Sequence, residues 1–283
     1  RLKKAGHATF LEAKDGSWYL AHLCARELGT TRCCPLGREA ALERVVWRDG
    51  WPYLDGNKHP KDRVEVPGDG EPIPEPGRES KVYTFDTDAF WADFQTLRAA
   101  PEKVGVTTQE QPGVLRIYGQ ESVFSRFRQG LVARRLTELH ARAETVFRFA
   151  PDSFQQAAGL ICRYDEDHQY YAHVTWDEQS GQTVARVLTV DHGQASLLGD
   201  TPVDGTEFCL GVVISGEQLQ FYFLRHGEKV FLGKPLETKI LSDDYADGFT
   251  GLFIGMAVQD LNDHSKYADF ISFTYEASEQ EEV

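Results

Sequence analysis

The stretch Gln218-Leu219-Gln220-Phe221-Tyr222-Phe223-Leu224 decides the fold. Leu219, Phe221 and Phe223 fall on one side of an extended chain, and Gln218, Gln220 and Tyr222 on the other. That period of two is the pattern of a half-buried antiparallel strand. Outward from it the same pattern recurs at 114–118, 131–133, 143–149, 158–164, 170–176, 183–190, 208–214, 251–258 and 269–275. Turn pairs such as Ser180-Gly181, Asp204-Gly205 and Ser215-Gly216 separate the runs. Many short strands without a long helix predict an antiparallel β-sandwich over 81–277, with an acidic tail at 278–283. Upstream, 57–80 carries Pro60, Pro67, Pro72, Pro74 and Pro76 among glycines and charges, which reads as an extended linker. Residues 1–56 hold four further β runs. Thr9–Glu12 and Trp18–Leu23 are joined by Lys14-Asp15-Gly16, and 41–47 turns through Arg48-Asp49-Gly50 into 51–54. Four strands make one propeller blade, and a lone blade cannot bury both faces. The chain is therefore all-β, and 1–56 reads as the closing blade of a propeller whose other blades lie elsewhere.

Composition sets the outer limits. The 283 residues are 41% hydrophobic, 12% aromatic and 26% charged, as in a globular protein with a sizeable core. A formal net charge of -14 argues against a nucleic-acid partner, because phosphate binding needs a basic face. No apolar run is long enough to span a membrane, and Arg1-Leu2-Lys3-Lys4 does not open a signal peptide. The five cysteines, Cys24, Cys33, Cys34, Cys162 and Cys209, form no CxxC pair and are odd in number. They favour neither a zinc site nor a disulfide framework. A cytoplasmic location follows, with secretion left open because an N-terminal segment would overturn it. Cys162 and Cys209 read as small core residues.

Between the second and third runs stands Arg32-Cys33-Cys34-Pro35-Leu36-Gly37-Arg38-Glu39-Ala40. Pro35 and Gly37 fix an unusual backbone path. Arg38 then stands on a stiff loop, where its planar fork suits a hydroxylated or anionic ligand. The plainer alternative is a solvated Arg38–Glu39 pair. Around this loop lie Gly6-His7-Ala8, Trp18–Leu23 and Trp47-Arg48-Asp49-Gly50-Trp51-Pro52. Downstream come Leu131-Val132-Ala133-Arg134-Arg135, Phe154–Leu160 and Gly248–Gly255. In this order and spacing the blocks resemble the β-xylosidases of glycoside hydrolase family 43, from the end of the catalytic domain to the C-terminus.

The resemblance implies the last blade of a five-bladed β-propeller followed by a concanavalin-like sandwich. It implies an exo-acting, inverting 1,4-β-xylosidase of xylan degradation, releasing xylose from xylooligosaccharide ends, with α-L-arabinofuranosidase side activity. Inverting hydrolysis needs two separated carboxyl groups. In the family these, with a further aspartate, come from earlier blades, so the partner is an N-terminal propeller chain or segment carrying the Asp/Asp/Glu set. No catalytic residue is expected in this chain, and Glu12, Glu39 and Asp49 read as structural or solvent-facing.

What the resemblance assigns here is the remainder of the pocket. Arg38 matches the arginine that hydrogen-bonds xylose hydroxyls in the first subsite, and Phe249 the aromatic closing the pocket. His7 matches a channel histidine that helps hold a hydrated divalent ion, usually calcium. Calcium prefers oxygen ligands, so His7 would act through a bound water or directly on a softer metal. The plainer readings are a satisfied core histidine and a core phenylalanine. Cys33-Cys34 departs from the pattern by its second cysteine, an effect of local packing. The stretch 27–31 is short for a loop lining the pocket entrance in relatives, which bears on leaving-group preference.

Asp86 and Asp269 lie on the sandwich's expected first and last strands, where pairing would bring them to a structural calcium site. Otherwise they are edge aspartates facing water. Trp91, Trp176 and Tyr170-Tyr171 read as core rather than a sugar platform. Association into homo-oligomers is a further implication of the resemblance. Two other classes fit parts of the chain: a non-catalytic carbohydrate-binding sandwich and an adhesion sandwich. Neither accounts for Gly-His-Ala or Leu-Gly-Arg-Glu.

Overall fold

A computed structural model describes residues 2–56, 61, 63–68 and 79–277. The expected linker falls largely, and the expected tail wholly, outside them. The N-terminal strands are β1 (Leu2–Glu12), β2 (Trp18–Arg26), β3 (Glu39–Arg48) and β4 (Trp51–Leu54), paired in chain order as one antiparallel sheet. Asp49 and Gly50 both take positive φ, 51° and 77°, the form a two-residue hairpin turn requires. Strand β1 breaks register on both sides of Gly6, and Lys4 and His7 sit there at φ 57° and 49°. Such bulges re-aim side chains. The sheet leaves apolar side chains in the open: Phe10, Trp47 and Tyr53 are exposed and Trp51 is 70% exposed. Trp47 packs against Phe10 and Trp18, with ring centroids 5.9 and 5.4 Å away.

The remaining strands begin with β5 (Ser80–Thr84), β6 (Phe94–Thr96), β7 (Val106–Thr107), β8 (Leu115–Tyr118), β9 (Gly130–Arg135), β10 (His140–Arg148), β11 (Gln156–Arg163) and β12 (Gln169–Asp177). They continue as β13 (Gln182–Asp191), β14 (Gln194–Pro202), β15 (Glu207–Ser215), β16 (Gln218–Arg225), β17 (Glu228–Glu237), β18 (Phe253–Asp260) and β19 (Tyr267–Ala277). An eight-stranded sheet runs β17-β16-β15-β10-β19-β8-β7, with β5 also on β19; a seven-stranded sheet runs β14-β13-β12-β11-β18-β9-β6. Every paired neighbour among these strands is antiparallel. Among the described residues there are three short 3₁₀ turns and no α-helix.

Between the sheets Phe147, Leu210, Phe221, Met256, Phe270 and Phe273 are fully buried. A smaller cluster with Val123, Leu131, Ile161 and Tyr171 covers the other face of β11 and β12, which are therefore buried on both sides. Leu219, Phe221 and Phe223 face the core as their alternation requires. Tyr222, expected outward, is also buried: Phe231 and Lys229 of β17 cover its ring and its hydroxyl donates to Glu144 at 2.6 Å. Cys162 is a core residue as expected. Cys209 is not, because it lies on the opposite face of β15 from Phe208 and Leu210 and stays partly exposed. Tyr170 and Tyr171 are buried, as core residues should be.

Candidate functional site

The two units meet through the loop after β2. Gly37 has φ 71°, and a Cβ there would lie 2.5 Å from the carbonyl oxygen of Thr250. A Cβ on Gly251 would lie 2.5 Å from the Leu36 oxygen, so both backbones touch only because both residues lack one. The Leu252 N–H donates to Pro35 O at 2.7 Å, and Leu36 drops its side chain into the sandwich core. Burying that side chain is worth about 2 kcal/mol.

Charged contacts flank this joint. Arg26 donates to Glu39 at 2.9 Å, to Glu138 at 2.7 Å and to the Thr137 carbonyl at 2.8 Å. Glu39 is thereby structural. The stretch 27–31 is likewise tied to the sandwich rather than standing free. Thr30 and Thr31 donate backbone N–H groups to Glu217 Oε1 at 2.6 and 3.0 Å.

Arg38 emerges from this joint. One guanidinium nitrogen, Nη1, donates to Asp243 Oδ2, and the guanidinium carbon lies 4.9 Å from the centre of the Phe249 ring. Phe249 is 67% exposed, an open aromatic wall rather than a core residue. The buried Nε of Arg38 has no hydrogen-bond partner, an unmet donor beneath the site. Asp243 has no exposed side-chain surface, and its other oxygen accepts from Lys4 Nζ at 2.5 Å. Lys4 also reaches Asp244 at 2.7 Å, while Asp244 accepts the Cys34 N–H at 2.8 Å. Burial opposes the charge on Lys4, but its hydrogen bonds to Asp243 and Asp244 outweigh it and raise its pKa.

Burial also pushes the Cys34 thiol up to about 11, so it is an unreactive packing residue. Cys34, Asp243 and Asp244 bring potential metal ligands within 4.8 Å of one another. Lys4 and Arg38 already supply the positive charge there, and the cluster is an ion-pair network. The geometry thus fixes a planar cation beside an exposed aromatic ring.

The other expected site residues behave differently. His7 is exposed on bulged β1 and belongs to neither potential metal-ligand cluster found among the described residues. One imidazole does not make a calcium site, so any ion held there needs oxygen ligands from elsewhere. Strands β5 and β19 do pair, as the argument for Asp86 and Asp269 required. Arg116 holds both oxygens of Asp269, at 2.7 and 2.8 Å, and so neutralises it, while Asp86 is exposed beyond β5. Asp243, Asp244 and Lys4 are the residues sequence reasoning missed. An acidic pair one residue after the apolar Ile240-Leu241 is a local hint, but its partners lie over 200 positions away.

Comparison with known proteins places this geometry in context. The family model described as the β-xylosidase C-terminal concanavalin A-like domain matches residues 82–276, and that of glycosyl hydrolases family 43 matches residues 1–52. Over 97% of its length the chain is similar to a putative β-xylosidase of Escherichia coli (strain K12) and a β-xylosidase of Bacillus subtilis (strain 168). Identity is 36% in each case, over 54% of the relative. A crystal structure of xylan β-1,4-xylosidase from Bacillus halodurans C-125 superposes with a TM-score of 0.84 at 37% identity, covering 97% of this chain and 54% of that one. The chain spans about half the length of the curated relatives it matches.

Proposed function

The chain belongs to glycoside hydrolase family 43 as a C-terminal portion with the β-xylosidase concanavalin A-like domain, and from that premise we propose that it completes the active site of an exo-acting 1,4-β-xylosidase. The observation that carries the reading is the convergence of Arg38 and Phe249 from two distant loops onto one face, with Asp243 behind the arginine. Arg38 binds hydroxyls of the first-subsite xylose, and Phe249 walls the pocket and excludes water, which keeps the enzyme on chain ends. The general base, the second aspartate and the general acid come from an N-terminal propeller segment, which inverts the anomeric centre through an attacking water. α-L-Arabinofuranosides are secondary substrates.

The first 56 residues are then the closing blade. Its exposed Phe10, Trp47, Trp51 and Tyr53 support a neighbouring blade packed over them. His7 contributes to a channel calcium through water, with the oxygen ligands supplied by other blades. A free-standing carbohydrate-binding module is disfavoured, because the family 43 match extends into residues 1–52.

The test is hydrolysis of an aryl β-xyloside by the chain alone and by the chain joined to its N-terminal segment. The chain alone should be inactive and the joined protein active. Arg38→Ala in the joined protein should lower kcat/KM on the order of 10²-fold. Unchanged kinetics removes Arg38 from the site. Xylan binding by the chain alone, with no activity in the joined protein, favours the binding module.

A further inference from the structure

A second concentration of ligating side chains lies at one end of the seven-stranded sheet. His168 sits in the turn between β11 and β12, and Asp191 and His192 begin the turn between β13 and β14. The two turns are tied together by the Gly193 N–H, which donates to Asp167 O at 3.0 Å. His192 and Gly193 take φ of 47° and 73°, which folds the second turn back tightly. The imidazole centroids of His168 and His192 are 4.8 Å apart, and one ligand atom from each of His168, Asp191 and His192 lies within 4.8 Å of the others.

A polar hairpin end would explain exposed Asp191 and His192 but not His168. The His168 side chain is 7% exposed, and its Nδ1 donates to Asp165 Oδ1 at 2.9 Å. With the proton on Nδ1, Nε2 carries a bare lone pair, and that atom is buried with no partner. His192 Nδ1 lies 2.7 Å from Asp191 Oδ1, and Asp191 Oδ2 accepts from the Tyr245 hydroxyl at 3.1 Å. A carboxylate that holds one ring nitrogen and leaves the other as an acceptor is how an imidazole such as that of His168 is oriented toward a metal, while a metal shared by Asp191 and His192 takes the place of the proton between them.

We propose that His168, His192 and Asp191 form a site for a divalent transition metal of the zinc class. Two imidazoles and one carboxylate suit zinc, cobalt or nickel better than calcium or magnesium. The site is independent of the reading of Arg38 and separate from any ion near His7. It would stiffen Tyr245, which follows Asp243 and Asp244 in the loop leading to Phe249.

Cobalt(II) titrated into the untagged 283-residue chain is the probe, read by its visible absorption, with zinc(II) as competitor. The expected result is saturable uptake of one cobalt per chain, displaced by zinc. His192→Ala should abolish it with an unchanged circular dichroism spectrum, since His192 is exposed. Asp165→Asn should weaken it by about 10- to 100-fold. No saturable uptake by the unmodified chain, or equal uptake in both variants, overturns the proposal.

Discussion

Replacing Asp243 by asparagine isolates the ion pair on which the Arg38 site is built. The shape is kept and the charge is lost from a carboxylate with no exposed side-chain surface. Removing one partner of a buried pair costs about 3–5 kcal/mol, because the other is left uncompensated. Here Lys4 retains Asp244 at 2.7 Å, and Lys4 and Arg38 keep about a fifth of their side-chain surface in water, which lowers the figure. The expected loss is about 2–3 kcal/mol. Urea unfolding of wild type, Asp243→Asn, Arg38→Met and the double variant measures it. The cycle should give a coupling energy of about 1–2 kcal/mol, because the apolar replacement removes the cation that Asp243→Asn strands. A single-variant loss under about 0.5 kcal/mol, or additive effects, would refute the view that Asp243 holds Arg38 in place.

Other consequences are open to measurement. Burial lowers His173 to about 4 from 6.5, so above pH 6.5 neither the folded nor the unfolded state protonates it. As pH falls from 6.5 to about 4 only the unfolded chain takes the proton, and stability should drop by about 3 kcal/mol in total. His173→Gln should flatten that slope in chemical unfolding, and an unchanged slope assigns the acid sensitivity to other groups. Gly37→Ala should cost at least about 2 kcal/mol, through positive φ and collision with Thr250, whereas Gly16→Ala, at positive φ with open space around it, should cost only about 1. Equal losses in thermal melts would show that the Thr250 contact is unimportant.

Much of the strand set was legible from its apolar patterning. Strand β10 alternates as a half-buried strand does, β11 and β12 read as near-continuous apolar runs because both of their faces are buried, and the hairpins announced themselves through Asp-Gly and Ser-Gly pairs. Strands β14 and β17 were not legible. They are the outer edges of their sheets, largely exposed, and carry Pro202 and Pro235, which only an edge position tolerates. The Arg38 loop stood out by its proline and glycines, yet its partner Asp243 lies 205 positions away and no local spacing reveals it. The Asp86–Asp269 expectation had the strand pairing right. What it did not reveal is Arg116, opposite Asp269 on β8, which holds that carboxylate, a matter of register that alternation does not encode. His168 and His192 escaped for a related reason, since their ligands come from two hairpins and form no short motif.

The interlocked glycines at 37 and 251 bear on how such a protein can change over time. A sandwich that merely followed the N-terminal sheet could be exchanged for another with little consequence. This one supplies the counter-charge to Arg38 and the aromatic ring beside it, and receives a leucine in return. Grafting a foreign sandwich onto the N-terminal sheet would therefore bring in a new seat for Arg38, a new residue in place of Phe249 and an unfilled or overfilled socket for Leu36. Inheritance should treat the two halves as one heritable unit, with substitutions on either side of the joint compensated on the other.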